Sequence, residues 1–152
     1  MDLTSFSVNL EVVMRVLIAC LLGGMIGWER ERHGISAGIR TYSAISLGAC
    51  VFGILSMSGG PGTDTTRIAA QVVTGIGFLG GGLIFREGNY VTGLTTAATL
   101  WATASVGLAI SFGFYTIGTL TAVIIFLLLY MPKLRWWKKI SAKVPKPNKD
   151  LA

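Results

Sequence analysis

Three polar residues near the middle of the chain have the types and the spacing of a cation entry site. Asp64, Arg67 and Gln71 are three and four residues apart, so in one helix they would share a single face. Mg²⁺ keeps most of its water and usually takes one or two carboxylates, so this sparse set could admit it. The alternative is structural, because an Asp ahead of a helix, followed by Arg, can cap and anchor that helix.

A second set of charged residues follows two apolar runs. The residues of this set that could come together in the folded protein are Glu29, Glu31, Glu87, Arg30, Arg40 and Arg86. Gathered at one end of a bundle, they predict a charged ring that could bind an ion, with Glu29 and Glu87 lining its exit. The alternative, favoured on chemistry alone, is a set of structural ion pairs.

Glu11 and Arg15 form a further pair, four residues apart in the first apolar run. We expect them to pair at the outer membrane interface, with the arginine extending toward the headgroups. The alternative is an Arg15 that faces inward.

Catalysis has little support in this sequence. The single histidine, His33, stands in a loop without obvious partners, and neither Cys20 nor Cys50 has metal-ligand spacing with it. There is no nucleophile and base arrangement, no His-Glu-x-x-His motif and no phosphate loop. We therefore predict that the protein is not an enzyme and has no resident cofactor, with Mg²⁺ as the candidate ligand or signal.

Apolar runs of bilayer length must position these residues. The 152 residues are 52% hydrophobic and 13% charged, with a mean hydropathy of +0.65. A spanning helix needs about 20 mainly apolar residues. Five segments meet or approach that length: 9–28, 41–58, 68–85, 94–112 and 114–131. The prediction is an all-α integral membrane bundle of about five helices over 1–132, whose first helix is retained, and a basic tail over 133–152.

The basic residues predict the orientation of the bundle. Nearly all of the Lys and Arg residues outside the apolar runs lie in the first loop, the third loop and the tail. The remaining loops contain only Arg67. Lys and Arg accumulate in cytoplasmic loops, so we predict an outside N-terminus and a cytoplasmic C-terminus. The tail begins beside Trp136 and Trp137, which favours anionic lipid headgroups over nucleic acid as its partner.

Glycines recur at helix-packing spacing. Gly23 and Gly27 are four residues apart, as are Gly77 and Gly81, and such faces let helices approach closely in lipid. The alternative for the second pair is a broken helix that lines a cavity. Leu22-Gly23-Gly24 and Leu79-Gly80-Gly81 also suggest a parallel repeat of helices 1–2 and 3–4, or else convergent packing chemistry.

Five ordered motifs resemble those of the MgtC/SapB family. They are Gly27-Trp-Glu-Arg-Glu31, Ala37-Gly-Ile-Arg-Thr41, Arg67-Ile-Ala-Ala-Gln71, Gly75-Ile-Gly-Phe-Leu-Gly80 and Gly93-Leu-Thr-Thr-Ala-Ala-Thr-Leu-Trp101. The resemblance implies a multi-pass protein of the bacterial inner membrane, associated with growth in low magnesium and, in pathogens, with survival inside macrophages. It also implies action through partners such as the proton-translocating ATP synthase.

The resemblance marks Arg67, Gln71 and Glu87 as the best candidate site residues. Thr95 departs from it, because the family pattern has Asn there. Many family members also carry a cytoplasmic C-terminal domain resembling ACT modules, whereas this chain ends 20 residues after Pro132. We expect a function that requires that domain to be absent or supplied by another chain.

Two functions follow from these observations. The leading hypothesis is a regulatory or accessory factor of the magnesium-stress response, which predicts a closed bundle packed through glycines. The alternative is a small transporter or channel for Mg²⁺ or another solute, which predicts a homo-oligomer because five short helices can hardly enclose a hydrated ion.

Overall fold

The computed structural model describes residues 3–59, 62–88 and 90–133, with side chains described from Leu10 onward except that of Glu87. The elements in chain order are α1 (Leu3–Glu31), α2 (Ile39–Met57), α3 (Arg67–Gly81), β1 (Phe85–Glu87), β2 (Tyr90–Thr92), α4 (Leu94–Ser111), α5 (Tyr115–Tyr130) and a 3₁₀ turn (Met131–Lys133). The predicted all-α membrane bundle is confirmed. The predicted tail lies outside the described residues apart from Lys133.

Four helices in the described part of the chain are long and apolar enough to cross a membrane. They are Leu10–Glu31 of α1, α2, α4, and α5 with its 3₁₀ turn to Lys133. The fifth, α3, has 15 residues. At 1.5 Å per residue it is about 22 Å long, which is short of the ~30 Å hydrocarbon layer.

The predicted third helix, 68–85, extends beyond the observed end of α3 at Gly81. Glycine destabilises a helix interior by about 0.5–1 kcal/mol, and the run Gly80 to Gly82 ends α3. The chain then forms an antiparallel hairpin in which Phe85 pairs with Thr92 and Glu87 with Tyr90. Gly93, with φ of +85°, turns the chain from this hairpin into α4.

The core of the bundle is built around α2 and α4. Small residues repeat every three or four positions along the buried face of α2 and meet a similar face on α4. Those on α2 are Ser46, Ala49, Cys50, Gly53 and Ser56, and those on α4 are Thr103, Ala104, Gly107 and Ser111. Small side chains allow this close approach, and the larger core residues Ile26, Leu100 and Ile125 fill the space beside it.

The two predicted glycine faces have different surroundings. A Cβ atom on Gly27 would lie 2.7 Å from the Gly38 carbonyl oxygen, and one on Gly23 would lie 2.5 Å from that of Tyr42, so α1 and α2 are in backbone contact. A Cβ on Gly77 or Gly81 would meet no atom within 4 Å. Among the described residues, no close packing is therefore made through these two α3 glycines, and α3 is unbroken across Gly77.

The side chain of Arg15 connects α1 to the ends of α4 and α5. Arg15 of α1 donates to the Ser111 carbonyl at the end of α4, to the Tyr115 hydroxyl at the start of α5 (3.2 Å) and to Glu11 (2.6 Å). Arg15 thus pairs with Glu11 as expected but also turns inward, against the α4–α5 connection. The predicted orientation in the membrane and the internal repeat stay predictions.

Candidate functional site

A buried carboxylate lies where α1 and α5 end. The Glu29 side chain is only 4% exposed, and its Oε1 accepts a hydrogen bond from Lys133 Nζ at 2.8 Å. His33 closes the cluster: its Nδ1 donates to the Glu29 carbonyl oxygen at 2.5 Å and lies 3.4 Å from Oε1. The end of α1, the turn that follows it and the 3₁₀ turn after α5 therefore place a carboxylate, an imidazole and an ammonium group together at this end of the bundle.

A column of hydroxyl groups extends from this end into the bundle. Arg30 Nη2 donates to Thr96 Oγ1 at 3.0 Å, and the Tyr42 hydroxyl shares a 2.6 Å hydrogen bond with Thr99 Oγ1. Thr99 and Thr103 also donate to carbonyls one turn back, at Thr95 and Thr99. The threonines share a face of α4 because they are three and four residues apart. The column joins α1, α2 and α4 through polar contacts.

Tyr42→Phe is expected to lower the free energy of unfolding by about 1 kcal/mol, because it removes one neutral hydrogen bond while Thr99 keeps its bond to Thr95. The measurement is reversible unfolding in mixed micelles followed by circular dichroism. Tyr130→Phe, at an exposed position on α5, is the matched control. Equal effects of the two changes would mean that the Tyr42 hydroxyl adds nothing to stability.

The charged residues predicted to form one ring make separate contacts instead. Glu31 Oε2 accepts from the Ile39 amide at 2.8 Å and so caps α2. Arg86 Nε donates to the Gly88 carbonyl at 3.1 Å within the hairpin. Arg40 is exposed, in a small polar pocket with Glu31. The Glu87 side chain lies outside the described part of the structure.

Helix geometry explains why no common ring forms among the described side chains. Residues 29 and 31 are about 200° apart around α1, so Glu29 faces the bundle interior while Glu31 faces the α1–α2 loop. The partners of Glu29 are Lys133 and His33, which sequence reasoning missed. A basic residue directly after the last apolar run was the available signal for Lys133.

The second predicted group also does not converge. Asp64 precedes α3, and its Oδ1 accepts hydrogen bonds from the Thr66 amide (2.9 Å) and the Thr66 hydroxyl (2.7 Å). Arg67 is exposed at the first position of α3. Gln71 lies one turn further on, at a groove between α2 and α3. Asp64 thus closes a turn just before α3 but does not cap the helix, because its partner Thr66 precedes the first helical residue.

Ser56 of α2 caps α3, a contact that the sequence did not reveal. Its buried Oγ donates to the Thr65 carbonyl at 2.7 Å and accepts from the amides of Ile68 (3.2 Å) and Ala69 (3.3 Å). The first amides of a helix have no partner within it, so this hydroxyl satisfies two of them. It also fixes the start of α3 against the end of α2.

Acidification is expected to weaken the start of α3. The Thr66 hydroxyl and amide donate to Asp64 and hold the pKa of this carboxyl below its ordinary value of 3.8. Because the pKa is lower in the folded protein, the stabilisation is present above 3.8 and is lost as pH falls through the folded-state pKa. The protection factors of the α3 amides, which correct for the pH dependence of intrinsic exchange, should therefore fall over that window. Asp64→Ala should have lower protection factors above pH 3.8 and lack this step, and identical profiles of the two proteins would contradict a role of the Asp64 carboxylate at the start of α3.

No group of three or more His, Cys, Asp or Glu side chains among the described residues is arranged to hold a metal ion. Glu29 is already paired with Lys133, and Asp64 with Thr66. Both carboxylates therefore already have partners within the chain.

Comparison with known proteins places the chain in a family. The model of the MgtC family matches residues 16–135, which include the first long membrane helix from Val16 onward and the other three entirely. The chain belongs to the MgtC family. Together with its apolar helices, this makes it a multi-pass membrane protein of a group tied to magnesium, and MgtC is not an enzyme family.

Three relatives illustrate the similarity. "Protein MgtC" of Salmonella typhimurium (strain LT2) is 47% identical over 115 residues, covering 76% of this chain and 49% of that protein. "Protein MgtC" of Brucella abortus (strain 2308) is 46% identical over 107 residues, covering 70% and 45%. "Putative magnesium transporter YhiD" of Escherichia coli (strain K12) is 41% identical over 127 residues, covering 78% and 59%. The chain thus spans about half the length of these relatives, and no solved structure matches it.

Proposed function

We propose that this MgtC-family protein is a regulatory or accessory factor of the bacterial inner membrane in adaptation to low magnesium, acting through membrane partners. The observation that supports it best is the closed interior of the bundle. Helix α1 contacts the α2 backbone at Gly23 and Gly27, and a Cβ on Gly107 of α4 would overlap the Ser46 carbonyl of α2. Helices this close leave no room between them for a hydrated ion.

The polar residues of the bundle fit the same proposal. A transport path needs side chains that can bind and release the ion. Glu29 is instead paired with Lys133 and His33, and Asp64 is hydrogen-bonded to Thr66. The partner is a membrane complex, with the proton-translocating ATP synthase as the candidate from family resemblance. In a pathogen the same role would serve survival inside macrophages.

The second candidate function is transport of Mg²⁺ by an oligomer. The name of the Escherichia coli relative, putative magnesium transporter YhiD, favours it, as does the open side of α3, where Gly77 and Gly81 meet no neighbour among the described residues. In this arrangement the path would lie between copies, outside the closed bundle. Asp64 and Gln71 would then stand at its entrance, and Glu87 near its exit.

Flux of Mg²⁺ into proteoliposomes separates the two functions. We expect no saturable flux from folded protein, with Asp64→Asn and Glu87→Gln indistinguishable from the unchanged chain. An ionophore added at the end of each trace shows that the vesicles are sealed. Saturable flux that either substitution abolishes would overturn the regulatory proposal and assign the path.

A positive test of regulation uses a deletion strain grown in limiting magnesium. The unchanged chain should restore growth and, after crosslinking in membranes, co-purify with a membrane complex. The packing variant Gly27→Leu, which separates α1 from α2, should do neither. Restored growth without any crosslinked partner would contradict action through a partner.

A further inference from the structure

An apolar groove runs between α2 and α3 on the outside of the bundle. Its volume is about 450 Å³, and its walls include Ile45, Gly48, Phe52, Gly75 and Leu79. A Cβ on Gly48 or Gly75, on opposite walls, would meet no atom within 4 Å, so the absence of side chains there widens the groove. The rim residues Phe52 and Leu79 are half exposed. In a membrane these side chains face lipid, so the groove opens to the hydrocarbon of the bilayer.

The dimensions of the groove suit a polymethylene chain. On α3 it extends from Ile68 to Leu79, a rise of about 16 Å, which is close to half of the ~30 Å hydrocarbon layer. Spread over that length, its volume gives a cross-section of roughly 30 Å², whereas a helix about 10 Å across needs roughly 80 Å². One acyl chain therefore fits within the groove, whereas a helix of a second copy or of another protein would lie across its rim.

A cation stands at the end of the groove where α3 begins. Arg67 is exposed in the first turn of α3, next to the groove residue Ile68 and one turn from Gln71. Gln71 is the only polar residue among the groove residues. A guanidinium group binds phosphate through paired N–H donors. The positive charge therefore lies where the headgroup of a lipid inserted along the groove would be.

We propose that the α2–α3 groove is a phospholipid site, with one acyl chain lying along Gly48 and Gly75 and the phosphate bound by Arg67. The closed interior of the bundle is not involved, so the site does not rest on the proposed regulatory function. The bound lipid fills space that α3 leaves open toward α2. It also gives α3, the most exposed of the helices, a fixed neighbour within the bilayer.

The experiment uses the full chain in phosphatidylcholine vesicles that contain a minor fraction of phosphatidylglycerol with a diazirine midway along one acyl chain. After illumination, mass spectrometry locates the labelled peptides. We expect label on the peptides that contain Gly48 and Gly75. Gly75→Leu fills the groove and should reduce this label about tenfold, which corresponds to ~1.4 kcal/mol of binding. Gly77→Leu is the matched control, because Gly77 is on the same helix with equally open space and is not part of the groove.

Arg67→Gln tests the phosphate contact separately. It should reduce labelling by the phospholipid about tenfold, since hydrogen bonds to charged groups are among the stronger ones. A diacylglycerol carrying the same diazirine lacks the phosphate, so it should label the unchanged chain weakly and be insensitive to Arg67→Gln. Gly48→Leu, on the opposite wall, replaces Gly75→Leu if that variant does not fold.

Equal labelling of the unchanged chain, Gly75→Leu and Gly77→Leu would overturn the proposal, because the contact would then be ordinary solvation by the bilayer. Equal labelling by the phospholipid and the diacylglycerol would overturn the role of Arg67. A crosslink between α3 segments of two chains, with loss of lipid label, would show that the occupant is a second copy.

Discussion

Lys133→Met is expected to lower the free energy of unfolding by about 3 kcal/mol, because it leaves the Glu29 carboxylate buried without its cation. Truncating one partner of a buried ion pair costs about 3–5 kcal/mol, and the partial exposure of Lys133 places the effect at the lower end. His33, which is 3.4 Å from the carboxylate, replaces only part of the lost contact. Reversible unfolding in mixed micelles measures the change.

Two further variants separate pairing from mere loss of the lysine side chain. Lys133→Arg keeps the charge and should retain most of the stability. The double variant Glu29→Leu with Lys133→Met removes both charges and should be more stable than Lys133→Met alone, since no charge then remains buried. If the effects of Glu29→Leu alone and Lys133→Met alone add up to the effect of the double variant, there is no direct interaction across the ends of α1 and α5.

Gly27→Ala is expected to destabilise the protein by about 2–3 kcal/mol, because the new methyl group would lie 2.7 Å from both the Gly38 carbonyl oxygen and the Ile39 Cα. Both neighbours are backbone atoms and cannot rotate away as a side chain could. Helix α1 must then move away from α2, which disrupts the contact between them. The same unfolding measurement applies.

Gly77→Ala provides the contrast on α3. No atom lies within 4 Å of the added carbon, and alanine favours a helix over glycine by about 0.5–1 kcal/mol, so stability should be unchanged or slightly higher. Equal losses at Gly27 and Gly77 would show that glycine is needed for a reason other than the α1–α2 contact.

Apolar segment length was sufficient to predict the bundle. The predicted segments for helices 1, 2, 4 and 5 match the observed helices to within a few residues, apart from the N-terminal extension of α1 to Leu3. Hydrophobic length fixes such helices because every backbone group must be bonded internally in lipid. The end of α3 was not predictable in this way, because residues 82–85 are as apolar as the helix before them. They nevertheless lie outside α3 and lead into the β-hairpin.

The partners of the charged residues could not be inferred from spacing along the chain. Glu29 and Lys133 are 104 residues apart, and only the packing of α1 beside α5 brings them together. Local contacts were easier: Glu11 and Arg15 pair across one helical turn, and Asp64 bonds to Thr66 just before the helix that follows. The two glycine pairs have the same spacing, so sequence alone gave no means of distinguishing the packed face of α1 from the open one of α3.

The short third helix has a consequence for the bilayer itself. A helix of about 22 Å beside neighbours that span ~30 Å creates a hydrophobic mismatch, which the lipid around α3 must relieve by thinning. The local thinning costs a fraction of a kcal/mol per ångström for the lipid beside α3, whereas the lipid beside the four longer helices needs no thinning. Membrane thickness therefore becomes a variable to which this small bundle responds, and lipid composition could sort it among regions of one membrane.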